Sequence, residues 1–243
     1  MSHPDDEMAI CTWIKILADA GNEVHLSWTH SNPTREAEAR AVAVILGIPQ
    51  HRLHFLGAPD GRVAEQMPSL VKPFRELLEI TNPDRVVCCA YEQGHLDHDA
   101  TSYLLHRTYQ GPIFEVPLYH TYCTKLQRVN RFYCGTGETR FLNDDERRLK
   151  IHVIRQYQSQ NIEKVMRLYQ IYCRATRKPA HALETEQLRL KTWTNYHAPN
   201  LPPALARKVV KHPTWRRWQH CVRALDLYLA EFEVAESRRL AMR

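Results

Sequence analysis

The sequence predicts an α/β fold: a parallel sheet flanked by helices, followed by a helical C-terminal extension. Three observations carry this. Short strand-like apolar runs alternate with helix-period stretches from Glu23 to Tyr122, the order that builds βαβ units. The polar loop Gly94-His95-Leu96-Asp97-His98-Asp99-Ala100 falls just after one strand, where open α/β sheets bind their ligands. From Asn143 onward helical runs take over.

The elements follow in chain order. Met8 to Ala20 carries Ile10, Ile14, Leu17 and Ala18 at helical spacing, and Gly21 stops it. Glu23 to Thr29 reads as a strand through Val24, Leu26 and Trp28. Asn32-Pro33 is an N-cap followed by proline at the first helical position. That helix turns Ala39, Val42, Ala43 and Leu46 inward and ends at Gly47. Arg52 to Leu56 is a short strand, and Gly57-Ala58-Pro59-Asp60-Gly61 a turn-rich loop. Leu70, Val71, Phe74, Leu77 and Leu78 form a helical face closed by Asn82-Pro83. Then come the Val86–Ala90 strand, the loop 91–98, a helix through Tyr103, Leu104 and Arg107, and a strand region from Ile113 to Tyr122. Asn143-Asp144-Asp145-Glu146 opens the first of two helical runs with a capping-box pattern. The runs span about 144–158 and 161–173. Residues 1–175 are thus expected to form the main domain, and 176–243 a helical or irregular extension packed on it. Within the extension, Trp215-Arg216-Arg217-Trp218 suits RNA or a membrane surface. Such stripes more often bury their aromatics against the domain.

Composition narrows the function. The chain has 243 residues, 44% hydrophobic and 25% charged, enough for one sizeable core. No apolar run is long enough for a transmembrane helix. Met1 is followed at once by polar residues, so no secretory leader is expected. The seven cysteines are odd in number and form no C-x-x-C pair. This argues against a disulfide framework and for a reducing compartment, the cytoplasm. Cys88 and Cys89, inside a strand, read as small apolar fillers rather than ligands. The net charge of +6 hints at anionic substrates or partners. No nucleic-acid-binding motif accompanies it, so nucleic acid is not expected.

The chemistry concentrates in two short stretches. His3-Pro4-Asp5-Asp6-Glu7 packs one imidazole and three carboxylates into five positions, and His95-Leu96-Asp97-His98 adds two further imidazoles and a carboxylate. Two histidines and one carboxylate, with a coordination position left open, make the donor set of a hydrolytic zinc site. The same set also suits iron(II).

His3-Pro4-Asp5-Asp6-Glu7 near the N-terminus with a later His95-Leu96-Asp97-His98 resembles the PIG-L/LmbE family of zinc-dependent N-deacetylases. Arg35-Glu36-Ala37-Glu38, Leu46-Gly47-Ile48 and Phe55 to Gly61 resemble the family's second block, and Tyr157-Gln158-Ser159-Gln160 its later SQ segment. The likeness covers about residues 1 to 170. It implies a Rossmann-like, LmbE-like fold and a Zn2+ (or Fe2+) ion held by His3, Asp6 and His98. It makes Asp5 the general base, or else a carboxylate that orients a ligand. It gives His95 the role of stabilising the oxyanion or protonating the leaving amine. Asp97 would orient His95 and keep it protonated, or simply sit as an acid at a helix start. Arg35 would hold the sugar or its substituent through its fork of donors, or else be a solvated helix residue. Glu7 and Asp99 are left as structural first-turn acids. The implied substrate is an N-acetylated, glucosamine-containing small molecule or conjugate, and a homo-oligomer is compatible with the family.

Two departures stand out. Some sugar deacetylases of the family carry a tyrosine where this chain has Gln93. Relatives also place an apolar strand before the first motif, whereas here only Met1 and Ser2 precede His3. The expectation is a sheet missing its first strand and a natural chain with a Val/Ile/Leu-rich strand upstream. Two other readings compete: a truncated or degenerate member that binds metal or sugar without turnover, and a basic binding protein that uses the Trp/Arg segment.

Overall fold

The computed structural model describes residues 1–118, 121–124 and 129–241, with side chains described through residue 232. A 3-10 turn, Asp6–Ile10, leads into α1 (Cys11–Asp19). Then follow β1 (Leu26–His30), α2 (Pro33–Leu46), β2 (Leu53–Ala58), α3 (Val63–Thr81), β3 (Val86–Cys89), α4 (Leu96–Thr108) and β4 (Ile113–Val116). The second half supplies β5 (Glu138–Phe141), α5 (Asp144–Gln156), α6 (Ile162–Ala175), α7 (His181–Glu184), β6 (Thr185–Leu190), α8 (Pro203–Val209) and α9 (Pro213–Ala241).

Local signals set several helix ends. The Asn32 side chain accepts from the Arg35 amide at 3.0 Å, and Gly47 closes α2 with φ of 77°. Residues with a Cβ rarely adopt that left-handed conformation. Asn143 and Glu146 cap α5 reciprocally, as the sequence pattern predicts. α3 begins well before Leu70 and runs through Pro68 and Pro73. Its buried Val63, Ala64, Met67, Leu70, Val71 and Phe74 show that core packing outweighs the proline penalty. The expected strand from Ile113 to Tyr122 ends at Val116, and residues 119 and 120 lie outside those described.

The expected α/β arrangement is present, with its sheet in two parts. β1 and β2 pair in parallel. β3 and β4 also pair in parallel, in a four-stranded sheet of order β3-β4-β6-β5. Met1 and Ser2 lie between the two parts. The Met1 ammonium donates to Ser27 O at 2.7 Å, Thr29 N donates to Met1 O, and His30 N to Ser2 O. On the other side Met1 packs against the small apolar cluster of Ala9, Cys89 of β3 and Leu118. Two residues thus stand where the expected first strand would run.

β6 corrects the reading of residues 176–243 as helical or irregular. It pairs antiparallel with both β4 and β5. Its sequence, Thr-Glu-Gln-Leu-Arg-Leu, lacks apolar alternation because its buried acid serves an ion pair. Glu186 and Lys150 are fully buried, with Nζ 3.3 Å from Oε1. Glu186 also accepts from Thr12 N, Thr12 Oγ1 and Trp13 N at 3.0, 2.5 and 3.1 Å, and so caps the start of α1.

Apolar cores form on both faces. α3, α4 and α9 bury one, and Trp215, Trp218, Val222, Leu225 and Leu229 of α9 belong to it. The Trp/Arg segment therefore packs its tryptophans inward, the commoner of the two arrangements expected. α1, α2, α5 and α6 build the second core with Leu26, Trp28 and Leu53. Among the described residues no helix is long and apolar enough to cross a membrane.

Removing one member of a buried ion pair strands the other without compensation. Lys150→Ala should lower unfolding free energy by about 3–5 kcal/mol, read from chemical denaturation. A loss within experimental error would show that water reaches Glu186.

Candidate active site

The two motifs meet at the carboxyl ends of the parallel strands. Met1-Ser2 runs beside β1 and delivers His3, Asp5 and Asp6. β1 ends at His30, β2 leads into Asp60, and β3 leads into His95, Asp97 and His98 at the start of α4. All of these except Asp60 and His95 are buried.

His3 is the hub. Its Nδ1 lies 3.1 Å from His98 Nε2 and 3.7 Å from Asp6 Oδ2, while His98 Nε2 lies 3.2 Å from Asp6 Oδ1. Four ligands around a zinc ion at ~2.0–2.1 Å would be separated from one another by about 3.3 Å. His98 Nε2 therefore lies at about the spacing of two ligands of one ion from both His3 Nδ1 and Asp6 Oδ1, while His3 approaches Asp6 through the other carboxylate oxygen. Asp6 is prepared for this. Its Oδ2 accepts from the Ser2 and His3 amides at 3.0 and 2.8 Å, which leaves Oδ1 toward His98. Burial works to raise the Asp6 pKa, but His98 and His3 outweigh it and hold the carboxylate ionised. Cys89 is more than an apolar filler, since its thiol reaches Asp6 Oδ2 at 3.7 Å. Burial and the Asp6 charge keep that thiol protonated.

The far nitrogen of His3 is held as well. Nε2 lies 3.2 Å from Asp97 Oδ2 and 3.4 Å from Asp60 Oδ1. Asp97 also accepts from Gly61 N at 2.7 Å and Val63 N at 3.1 Å. Gly61, at φ of 68°, is where the loop turns its amide inward. α9 reinforces the loop: Arg217 Nη2 donates to Gly61 O at 2.6 Å and also pairs with Glu65. A chain of contacts thus runs from Arg217 through Gly61 and Asp97 to His3. Burial alone would lower the His3 pKa, but Asp6, Asp60 and Asp97 raise it well above the ordinary value. The cluster of carboxylates calls for a cation at this position.

Asp97 therefore orients His3, where sequence reasoning expects it to orient His95. The state of His95 differs too. It is the N-cap of α4, and its Nδ1 accepts from the Asp97 amide at 3.2 Å. An imidazole nitrogen that accepts a hydrogen bond carries no proton. Burial, with His98 and His3 nearby, lowers the His95 pKa to about 4. The ring is neutral and presents Nε2–H as a donor, in place of the expected imidazolium.

Asp5 adopts φ of 128°, a strained conformation for a residue with a side chain. Burial, and then the Asp6 charge, raise its pKa well above the usual carboxylate range. Glu7, read as structural, accepts from Trp28 Nε1 at 3.1 Å and from the Asp5 amide at 3.2 Å, and the Tyr157 hydroxyl bonds it too. Asp99 is likewise structural, accepting from Gln93 N at 3.2 Å. Arg35 is buried, 3.9 Å from both Asp5 and Asp60, and its guanidinium bonds Gln160 of the Ser-Gln segment. Its Nη1 donates no hydrogen bond. Tyr91 does not compensate for Gln93, because its hydroxyl bonds Tyr196 O, Ala198 O and Trp218 Nε1 in the core.

Sequence reasoning gave no site role to His30, Asp60, Cys89, Gln160 or Arg217. Asp60 and Gln160 lie inside quoted motif blocks. His30 had a positional signal, as a polar residue at the end of a strand.

The His95 assignment has a pH consequence in the metal-free protein. Its folded pKa, about 4, lies below its ordinary value of 6.5. The unfolded chain therefore takes the proton first, and the stability His95 contributes above pH 6.5 is lost as pH falls towards 4. Imidazole NMR should show His95 titrating near pH 4. Titration at the ordinary value would return it to the protonated role.

Comparison with known proteins agrees with the motifs. Residues 1–109 match the family model "PIG-L: GlcNAc-PI de-N-acetylase". No curated protein matches the sequence. Among solved structures, a deacetylase of the teicoplanin biosynthesis pathway, solved as a bog complex, superposes with a TM-score of 0.54 at 15% identity, covering 79% of this chain and 97% of that one. A conserved protein of Thermus thermophilus gives 0.51 at 18% identity, covering 80% and 94%. The N,N'-diacetylchitobiose deacetylase of Pyrococcus horikoshii, solved with an inhibitor, gives 0.51 at 18%, covering 78% and 80%. At these identities the likeness establishes a common fold. Residues 1–109 are thus similar to the PIG-L family, and the chain shares its fold with these solved deacetylases.

Proposed function

We propose that this chain is a zinc-dependent amide hydrolase that removes an N-acetyl group from a glucosamine-containing small molecule or conjugate. One observation carries the reading. His98 Nε2 stands at ligand-to-ligand spacing from both His3 Nδ1 and Asp6 Oδ1, with two acid–base groups of opposite preference beside them. The family match and the deacetylase neighbours, which include an A40926 pseudoaglycone deacetylase, support the reaction class and the sugar-conjugate substrate. The seven free cysteines suit a reducing compartment such as the cytoplasm.

His3 Nδ1, Asp6 Oδ1 and His98 Nε2 would hold the ion. Zinc bound there supplies Lewis acidity, which makes water nucleophilic near neutral pH and polarises a carbonyl. Asp97 fixes the ring and tautomer of His3 by taking the hydrogen of Nε2. Asp5 takes the proton from the attacking water and passes it to the leaving amine as the C–N bond breaks, a task suited to a carboxylate whose pKa burial and Asp6 raise. His95 donates from Nε2–H to the developing oxyanion. A neutral imidazole does this without first giving up a proton. Arg35, beside Asp5 and Asp60, positions the sugar.

The test is a panel of N-acetylated sugars incubated with the zinc-loaded protein, followed by free amine. Release from N-acetylglucosamine or a conjugate of it is expected. Zinc binding at full stoichiometry without amine release from any member would make the chain a binding protein. Asp5→Asn should keep the metal and lose roughly 10²–10⁴-fold in rate; near-normal turnover would move the base elsewhere. His98→Ala should lose most of the metal, and full occupancy by elemental analysis would refute the ligand set. Asp97→Ala should weaken zinc about 10–100-fold in a chelator competition, and an unchanged affinity would make its contact with His3 incidental.

A further inference from the structure

His30 ends β1 beside His3, and no motif accounts for it. It is 2% exposed, and its ring centroid lies 5.5 Å from that of His3. Nδ1 lies 2.7 Å from Ala58 O. A carbonyl can only accept, so Nδ1 carries the hydrogen and Nε2 is left as a bare lone pair. That Nε2 is buried and makes no hydrogen bond. A buried acceptor left unpaired is costly, and native structures keep such groups where function uses them.

The complementary anomaly stands close by. Arg35 Nη1 is a buried donor that makes no hydrogen bond, 3.9 Å from Asp60 Oδ2. Asp60 is exposed, on the loop of Gly57 and Gly61, and it faces both His3 and Arg35. An unused acceptor and an unused donor near one another call for one neutral group that can serve both. A carbonyl would satisfy only Arg35, and an N–H only His30. A hydroxyl does both, donating to one and accepting from the other.

We propose that His30 is a substrate-binding residue whose Nε2 accepts a hydrogen bond from a sugar hydroxyl, which in turn accepts from Arg35 Nη1. The substrate side of this rests on the reading as an amino-sugar deacetylase. Asp60, the exposed acid beside them, can take a second hydroxyl of the same ring. His30→Phe keeps the ring against His3 and removes the acceptor, whereas His30→Gln keeps an acceptor near the Nε2 position.

The experiment pairs kinetics with histidine 15N NMR, using N-acetylglucosamine as the probe and the zinc-loaded full chain. In the wild type, the unprotonated Nε2 resonance assigned through its loss in His30→Phe should move upfield as sugar is added. His30→Phe should raise KM about tenfold, the worth of one buried hydrogen bond, with kcat falling far less. His30→Gln should recover part of the KM, and both variants should hold wild-type zinc. An Nε2 resonance unmoved by saturating sugar, or a KM unchanged in His30→Phe, overturns the proposal. Absence of any sugar binding by the wild type overturns it too. A shifted resonance without amine release would instead remove the deacetylase reading and leave His30 as a sugar ligand. Amine release with equal KM in wild type and His30→Phe would do the reverse.

Discussion

Buried negative charge around one imidazole is the constraint on which the rest of this structure depends. Asp6, Asp60 and Asp97 all face His3, and Asp5 lies against Asp6 and Arg35. Carboxylates brought this close repel one another and resist removal from water, so they persist only around a cation or a strong set of donors. Without metal the His3 proton serves, which is why the carboxylates raise its pKa despite burial. In the function proposed above, a divalent ion held by His3, Asp6 and His98 would meet the same demand more fully. The donor spacing and the His3 pKa thus have one electrostatic cause.

That constraint needs a rigid frame, and distant parts of the chain provide it. Backbone amides at Ser2 and His3 fix Asp6, and those at Gly61 and Val63 fix Asp97. α9 grips Gly61 through Arg217, while the tryptophans on either side of Arg216 and Arg217 lie in the core shared by α3 and α4. On the opposite face Glu186 of β6 receives the first amides of α1 and the Lys150 ammonium. The C-terminal third of the chain therefore braces the motif loops through one arginine and one glutamate.

The same packing divides labour between two groups that look alike in sequence. Asp5 is pushed toward the protonated form by burial and by its neighbour Asp6. His95 is pushed toward the neutral form by burial and by two nearby histidines. In the proposed hydrolysis, these opposite preferences would suit Asp5 to take a proton and His95 to donate a hydrogen bond.

The sequence by itself determined the α/β class, most helix ends and the two motifs. Asn32, Gly47 and the Asn143–Glu146 box act through bonds a few residues away, so their meaning is local. The motif residues were legible because their donor types are rare together, and the sheet brings both loops to one edge. Tertiary structure alone decided which carboxylate holds which histidine. Asp97 is two residues from His95 in sequence, yet its oxygens are taken by His3 and the α3 loop, since side chains at a helix start point along the fold and not along the chain. It also decided the protonation of His95, the unpaired Nε2 of His30 and the strand at Thr185–Leu190. Each depends on burial and on partners brought in from far along the chain, which no local pattern encodes.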